Sequence, residues 1–333
     1  MNATFDDAGK IIQNSSFVDM VWQNESNPQN TTNSSWQGLV TIQAGYIIVL
    51  VLFAVVMLAG IPGNVLIYLL YGGKGLKGKV MASLLRLLAV VDQSSILLFH
   101  APIWVWYFFG KVANDLSLDY CRYIVMTSAT LSISSWTLFA VSVDRVFCVF
   151  RPYLVKRPVY RTAILGSLVP VYILVSAFAC TRIIVAVDVI NGHCTVLDSK
   201  IWGLISTAII TYLPGCGMIV CNVILLVKLG CMRSNIVLSP EVKQRRKQNM
   251  IIILSLSILF VMTTCIPVSQ LFTLFGNSYE IRYTGTMVFM CIRAINNSAN
   301  FYILCITGSK FRSEFKKLIT CSSNRVAPVA NQA

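Results

Sequence analysis

Charged residues inside apolar runs are the first candidates for chemistry in this sequence. Asp92 ends the stretch of residues 88–92 within a long apolar run, where a carboxylate needs a partner or a proton. Asp144 and Arg145 stand side by side at the end of another run, and Arg293 lies in a third. Ionisable residues in such runs are costly and normally face a cavity or a partner. These four positions are therefore where function is expected.

The elements that must position these residues are predicted to be membrane helices. The 333 residues are 56% hydrophobic and only 12% charged, whereas a soluble domain is about half apolar and a quarter charged. Backbone groups in lipid must hydrogen-bond internally, and about 20 apolar residues cross a bilayer as a helix. The sequence therefore predicts an all-α bundle of seven transmembrane helices over residues 45–307, in the runs 45–71, 81–109, 122–149, 162–187, 201–229, 249–275 and 283–307.

A short amphipathic helix is predicted after the bundle, over residues 308–321. Apolar side chains recur there at helical spacing with Lys and Arg between them, which is typical of a helix lying in the membrane interface: Phe311, Phe315, Leu318 and Ile319. Cys321 at its end could carry a palmitoyl group or remain an unmodified thiol. Residues 322–333 are predicted to be a disordered cytoplasmic tail.

The first 44 residues are polar and are predicted to be a disordered tail. No cleavable signal peptide is recognised before the first helix, which would then act as the signal. Sequons for N-glycosylation, which are used only on the lumenal side, indicate that this tail is extracellular; an Asn- and Ser-rich linker with accidental matches is the alternative. The five acceptors are Asn2, Asn14, Asn24, Asn30 and Asn33.

The distribution of charge gives the orientation. With the amino terminus outside, the cytoplasmic segments hold 20 of the 27 Lys and Arg, while nine of the 13 acidic residues lie outside. This asymmetry satisfies the positive-inside rule. The net charge of +14 is therefore explained by insertion into the plasma membrane, and nucleic acid is set aside as a partner.

Seven short motifs follow one another along residues 45–321: Gly63-Asn64, residues 88–92, Asp144-Arg145 with Pro152 downstream, Pro214, Pro267, residues 296–301 and residues 305–312. In this order they resemble the motifs of rhodopsin-like (class A) G-protein-coupled receptors. The resemblance implies a receptor that binds an extracellular ligand and activates a heterotrimeric G protein. Residues 296–301, Asn222 and residues 134–136 resemble invertebrate FMRFamide-type neuropeptide receptors.

The sequence also departs from the family pattern. Val146 replaces the Tyr after Arg145, and Cys265 stands where the family has the Trp of helix six. Leu304 and Asn222 replace the two tyrosines that approach each other on activation, and Phe301 replaces a Pro. These departures question the usual activation switch of the family and leave the fold unaffected.

The resemblance implies three further sets of residues. The first is a disulfide between Cys121 and Cys194, the two cysteines placed firmly outside. The second is a G-protein contact through Asp144, Arg145, Pro152, Arg246 and Lys247, whose basic run also suits anionic lipid. The third is a polar network that would hold an allosteric sodium ion, or be a purely hydrogen-bonded network: Asn64, Asp92, Ser134, Asn296 and Asn300. No other cofactor or metal is expected.

Two residues that are absent from the sequence exclude two classes of ligand, biogenic amines and retinal. Thr127 stands where amine receptors have a carboxylate, and Ala294 stands where opsins have the retinal lysine. A neuropeptide is the leading hypothesis, with contacts expected at the outer helix ends: His100, Trp104, Thr127, Gln270 and Arg293. Arg293 could instead snorkel or pair with Glu280, while His100 and Trp104 could be ordinary helix-end residues.

Two alternatives remain beside the peptide receptor. One is a chemosensory or lipid receptor of the same fold, and the other is a small membrane transporter. A transporter would be expected to carry charged residues along a pathway in several helices, whereas only Asp92 is deeply placed. No nucleophile and base stand together, so an enzyme is not expected.

Overall fold

The structure is a computed structural model that describes residues 33–73, 80–109, 118–155, 157–190, 193–196, 205, 208–232, 251–252, 254–265 and 279–323. The described chain is helical apart from one short hairpin. Within these residues, four helices are long and apolar enough to cross a membrane: Ala44–Gly72, Val80–Phe108, Val125–Phe150 and Pro158–Thr181. Two shorter apolar helices, Leu213–Lys228 and Leu254–Thr263, are also present among the described residues. The seven-helix bundle stays a prediction.

The four membrane-length helices coincide with the first four predicted apolar runs. In chain order the helices are α1 (Asn33–Gly72), α2 (Val80–Ser95), α3 (Ala101–Phe109), α4 (Leu118–Thr127), α5 (Ala129–Phe150), the single turn α6 (Pro152–Val155), α7 (Pro158–Ala186), α8 (Leu213–Met232), α9 (Leu254–Thr263), α10 (Tyr279–Ser298), α11 (Asn300–Thr307) and α12 (Ser309–Ser323). Strands β1 (Val187–Ile190) and β2 (His193–Val196) pair antiparallel, with Val189 opposite Cys194.

Two boundaries differ from the sequence prediction. Helix α1 begins at Asn33, inside the segment predicted to be a disordered tail up to residue 44, although its apolar, membrane-length part begins at Ala44. The apolar run therefore marked where a membrane span starts and not where the helix starts. Helix α12 ends at Ser323, two residues beyond the predicted end of the amphipathic helix.

Three helices contain a wide, π-helical turn: Ile96–His100, Ala208–Tyr212 and Val261–Cys265. Each turn ends two residues before a proline in the sequence, namely Pro102, Pro214 and Pro267. A proline has no N–H to donate and its ring clashes with the carbonyl four residues earlier, which falls in the middle of each wide turn. Pro62 in α1 and Pro170 in α7 stand within α-helix, so proline favours these turns without requiring them.

The long helices expose large apolar side chains. In α1, Ile47, Val55 and Leu58 are 58%, 55% and 68% exposed, and in α7 both Ile173 and Leu174 are 65% exposed. Water would penalise such continuous apolar surface, which on soluble proteins rarely exceeds a few hundred Å². These faces suit contact with lipid tails.

The interior contains two apolar clusters with a polar layer between them. One cluster contains Leu88, Leu138 and Leu304, and the other contains Ile96, Leu131 and Ala294. Each helix carries buried polar residues between the two clusters. This layer consists of Asn64, Asp92, Ser134, Asn296, Asn297 and Asn300.

Glycine allows the closest approach between α1 and its neighbours. A Cβ atom added at Gly60 would lie 2.7 Å from Cβ of Ser298 and 2.8 Å from Cδ1 of Ile96. Both distances are too short for any side chain to be accommodated without movement. Gly166 in α7, by contrast, has no atom within 4 Å of the same position.

We expect Gly60→Ala to lower the free energy of unfolding by about 1–3 kcal/mol, because the new methyl group overpacks the contact with α10. Gly166→Ala is the matched control, and it should stabilise the helix by up to about 1 kcal/mol. The measurement is a denaturant titration of the detergent-solubilised protein. Equal changes in the free energy of unfolding for the two substitutions would show that α1 does not pack closely against α10 at Gly60.

Candidate functional site

The carboxylate of Asp92 is the centre of the polar layer. Asp92 is fully buried and both of its oxygens accept a hydrogen bond. The Ser134 hydroxyl donates to Oδ1 at 2.5 Å, and Nδ2 of Asn300 donates to Oδ2 at 2.6 Å. The helices α2, α5 and α11 are therefore joined through one side chain, which meets the requirement that a buried polar group be hydrogen-bonded.

The other two predicted members of the network join it through Asn297. Nδ2 of Asn64 donates to the backbone carbonyl of Asn297 at 3.1 Å, and Nδ2 of Asn296 lies 3.3 Å from Oδ1 of Asn297. Asn297 was not among the predicted site residues. Its position in the run of residues 296–300, one residue from a predicted member, was the signal that could have identified it.

Asn297 also extends the layer to His100. Nδ2 of Asn297 lies 3.5 Å from Nε2 of His100, whose ring is fully buried. Two aromatic rings meet His100 edge-on, Phe53 at 5.9 Å and Phe99 at 5.2 Å between ring centroids. His100 thus lies in the packed interior, at the last residue of a π-helical turn.

The donor set fits a sodium ion in its chemistry. Sodium, as a hard cation, takes oxygen ligands, and this layer offers the Asp92 carboxylate, the Ser134 hydroxyl and Oδ1 of Asn64. That Asn64 oxygen is buried and has no hydrogen-bond partner among the described residues. The unsatisfied oxygen and the carboxylate are the features that suit a cation.

A second charged group lies near the end of α5. Nη2 of Arg145 is 3.1 Å from Oδ2 of Asp144, and the two side chains are 12% and 1% exposed. Tyr160 of α7 donates its hydroxyl to Oδ1 of Asp144 at 3.3 Å, and the Cys148 thiol lies 3.8 Å from Oδ2. Asp144 is therefore held from two helices, while Nε of Arg145 is buried and has no hydrogen-bond partner in the described chain.

Tyrosines of α7 supply contacts that the sequence analysis missed. Besides Tyr160, the Tyr172 hydroxyl lies 2.5 Å from Oγ1 of Thr137 on α5. Thr137 also donates to the carbonyl of Ile133 one turn earlier. A tyrosine in a lipid-spanning helix needs a partner for its hydroxyl, and this requirement was the available signal.

The predicted ligand contacts at the other end of the helices are engaged within the protein. Nε1 of Trp104 donates to the Leu50 carbonyl at 2.9 Å, and Oγ1 of Thr127 donates to the Tyr123 carbonyl at 3.0 Å. The Arg293 guanidinium lies 5.5 Å from the centroid of the Phe289 ring. Gln270 lies outside the described residues. Ligand binding by these five residues, His100 included, stays a prediction.

A small cavity lies between α4, α5, α7 and the π-helical turn Ala208–Tyr212. Its volume of about 10 Å³ is that of about one water molecule, and its lining is apolar except for two serines: Val125, Ser128, Ala129, Ser132, Val175, Phe178, Ala179 and Ile209. Ser132 is fully buried and its hydroxyl has no hydrogen-bond partner among the described residues. None of the five predicted ligand contacts lines this cavity.

Several predicted sites fall where the structure gives no side-chain detail. Cys121 lies in α4 and Cys194 in β2, and α4 packs against strand β1, the partner of β2. Their side chains lie outside the described ones, as do those of Asn33, Pro152 and Cys321. Asn2, Asn14, Asn24, Asn30, Arg246 and Lys247 lie outside the described residues altogether. The disulfide, glycosylation and palmitoylation sites stay predictions.

A comparison with models of known protein families finds no family that matches the chain, and a comparison with curated proteins finds no match either. The structure itself shows a helical protein whose described residues include four helices with the length and composition of membrane spans.

We expect Ser134→Ala to lower the free energy of unfolding by about 1–3 kcal/mol, because the buried Asp92 oxygen then loses its donor. Ser132→Ala is the matched control on the same helix. Its hydroxyl is equally buried but unsatisfied, so its removal should cost nothing or stabilise. Denaturant titration of both variants in detergent is the measurement, and a loss at Ser132 as large as at Ser134 would contradict the role of Asp92.

Proposed function

We propose that this chain is a rhodopsin-like G-protein-coupled receptor, a seven-helix protein of the plasma membrane with its amino terminus outside. Binding of an extracellular ligand would rearrange the helices and open their cytoplasmic ends to a heterotrimeric G protein. The proposal rests on the ordered motifs in the sequence, and the contacts of two of these motifs support it.

The observation that carries the proposal is the ion pair at the end of α5. Asp144 is almost fully buried and binds Arg145 directly, while Tyr160 holds the other carboxylate oxygen. Removing one partner of a buried pair leaves an uncompensated charge, so an arginine released from Asp144 must find another partner. In a receptor, the docked G protein would supply that partner.

The polar layer around Asp92 supports the same reading. Asp92, Ser134 and Asn300 join three helices through short hydrogen bonds. In an inactive receptor, Asp92 and Ser134 would hold a sodium ion, whose charge would compensate the buried carboxylate. Loss of the sodium ion and of these hydrogen bonds would let α2, α5 and α11 move relative to one another.

The ligand class that we propose is a neuropeptide. This rests on the resemblance to FMRFamide-type receptors and on the missing carboxylate at Thr127, which removes the usual counterion for an amine. Arg293 is the group best suited to a peptide carboxylate, because a guanidinium donates two parallel hydrogen bonds to the two carboxylate oxygens, and it could also donate to a peptide carbonyl.

In cells, we expect Arg145→Ala to lower G-protein activation at least about tenfold, the equivalent of about 1.4 kcal/mol of coupling. Arg161→Ala removes an exposed arginine of α7 and should leave activation unchanged. Asp144→Asn should raise the activity measured without ligand, because it weakens the hold on Arg145. The measurement is G-protein activation with and without a neuropeptide library, at matched surface expression.

A peptide response that survives Arg145→Ala would contradict coupling through α5. Silence of the unmodified chain toward all G-protein classes and ligands, with surface expression shown, would contradict the receptor proposal and favour a transporter.

A further inference from the structure

Arg86 is a cation inside a membrane-length helix, and it forms no salt bridge with a described carboxylate. It lies in α2, within the span Val80–Phe108. Its Nε atom is buried without a hydrogen-bond partner among the described residues. A charge at this position needs an anion or water to compensate it.

The guanidinium of Arg86 rests against helix α1 in a fixed place. Its Cζ atom lies 4.4 Å from the centroid of the Tyr68 ring, a distance at which a cation is attracted to the ring face. One turn further along α1, Gly72 lies beside the group, and a Cβ there would make an ordinary van der Waals contact with Cζ of Arg86 at 3.6 Å. The Tyr68 ring and the chain at Gly72 together form the cradle of this cation.

The cradle opens toward lipid. Tyr68 is 42% exposed, and its neighbours Val65 and Leu69 on α1 are 47% and 53% exposed. On α2, Val90, one turn after Arg86, is 46% exposed. The groove between the two helices is therefore part of the surface that meets the bilayer.

A span centred on the bilayer would place Arg86 near the boundary between hydrocarbon and headgroups. A helix of 29 residues is about 43 Å long, about 13 Å more than the hydrocarbon thickness, so about 7 Å extends beyond it at each end. Arg86 lies six residues after Val80, about 9 Å along the axis. Its side chain, which is long enough to snorkel, reaches the boundary between hydrocarbon and headgroups.

The sequence that links the two helices is basic. Residues 74–79, which connect α1 to α2, read Lys-Gly-Leu-Lys-Gly-Lys. Lysines near the cytoplasmic surface attract anionic lipids, and a guanidinium binds phosphate oxygens through two parallel hydrogen bonds. Electrostatics therefore favour a phosphate that carries further negative charge.

From this geometry we propose that Arg86, held by Tyr68 and Gly72, binds the headgroup phosphate of an anionic phospholipid in the groove between α1 and α2. The proposed orientation places this site in the cytoplasmic leaflet. The site depends on insertion into a membrane and not on receptor activity.

The test is retention of lipid by the purified full-length protein in native mass spectrometry, with phosphatidylserine and phosphatidylcholine as probes at equal concentration. We expect phosphatidylserine to be retained preferentially, and Arg86→Gln to lower its retention about fivefold, the effect of one basic contact near an anionic surface. Arg161→Gln, which removes an exposed arginine of α7, is the matched control and should change retention less than twofold.

Three further variants separate the cradle from the charge. Arg86→Lys keeps the charge but loses the planar guanidinium. Its retention of phosphatidylserine should therefore fall between that of the unmodified protein and that of Arg86→Gln. Tyr68→Phe keeps the ring and should behave as the unmodified protein, whereas Tyr68→Leu should lose retention. Thermal unfolding followed by tryptophan fluorescence checks that each variant is folded, and Arg86→Lys decides the question if Arg86→Gln does not fold.

Equal losses in Arg86→Gln and Arg161→Gln would overturn the proposal, since attraction would then be a property of the whole basic surface. Equal retention of the two lipids by the unmodified protein would also overturn it. The assay contains neither ligand nor G protein, so a failure of the receptor proposal leaves its outcome unaffected.

Discussion

The hydrogen bonds that satisfy the Asp92 carboxylate constrain the rest of this structure. A buried carboxylate without donors is too costly to keep, so Ser134 and Asn300 must be brought to it from two other helices. Their positions fix the rotation of α2, α5 and α11 about their axes. The same rotation places apolar residues on both sides of the polar layer, in two separate clusters, and directs other apolar faces outward.

Lipid changes which interactions hold such a chain together. Apolar side chains gain little by leaving lipid for a protein interior, so close packing and hydrogen bonds between helices carry more of the specificity. The contact of Gly60 with α10 and the bond between Thr137 and Tyr172 are of this kind. Both lie close to the polar layer or to the cavity beside Ser132, so packing and the candidate sites depend on the same helices.

Much of the architecture could be predicted from local features of the sequence. The first four apolar runs located the four membrane-length helices, because length and hydropathy suffice to identify a span. Prolines at 102, 214 and 267 stand two residues after the wide turns, which a local rule about missing donors could have indicated. The start of α1 at Asn33 could not be read from hydropathy, because a helix can continue beyond the apolar stretch.

By itself, the sequence determined the composition, the helical segments, the charge asymmetry and the residue types of the polar layer, because each depends on neighbours along the chain. Only the tertiary structure decided which polar groups meet. Ser134 and Asn300 are 42 and 208 residues from Asp92, and Asn297 entered the network through its backbone carbonyl. The pairing of Arg86 with Tyr68 and Gly72 was likewise invisible in the sequence, since it requires two helices to pack with one particular rotation.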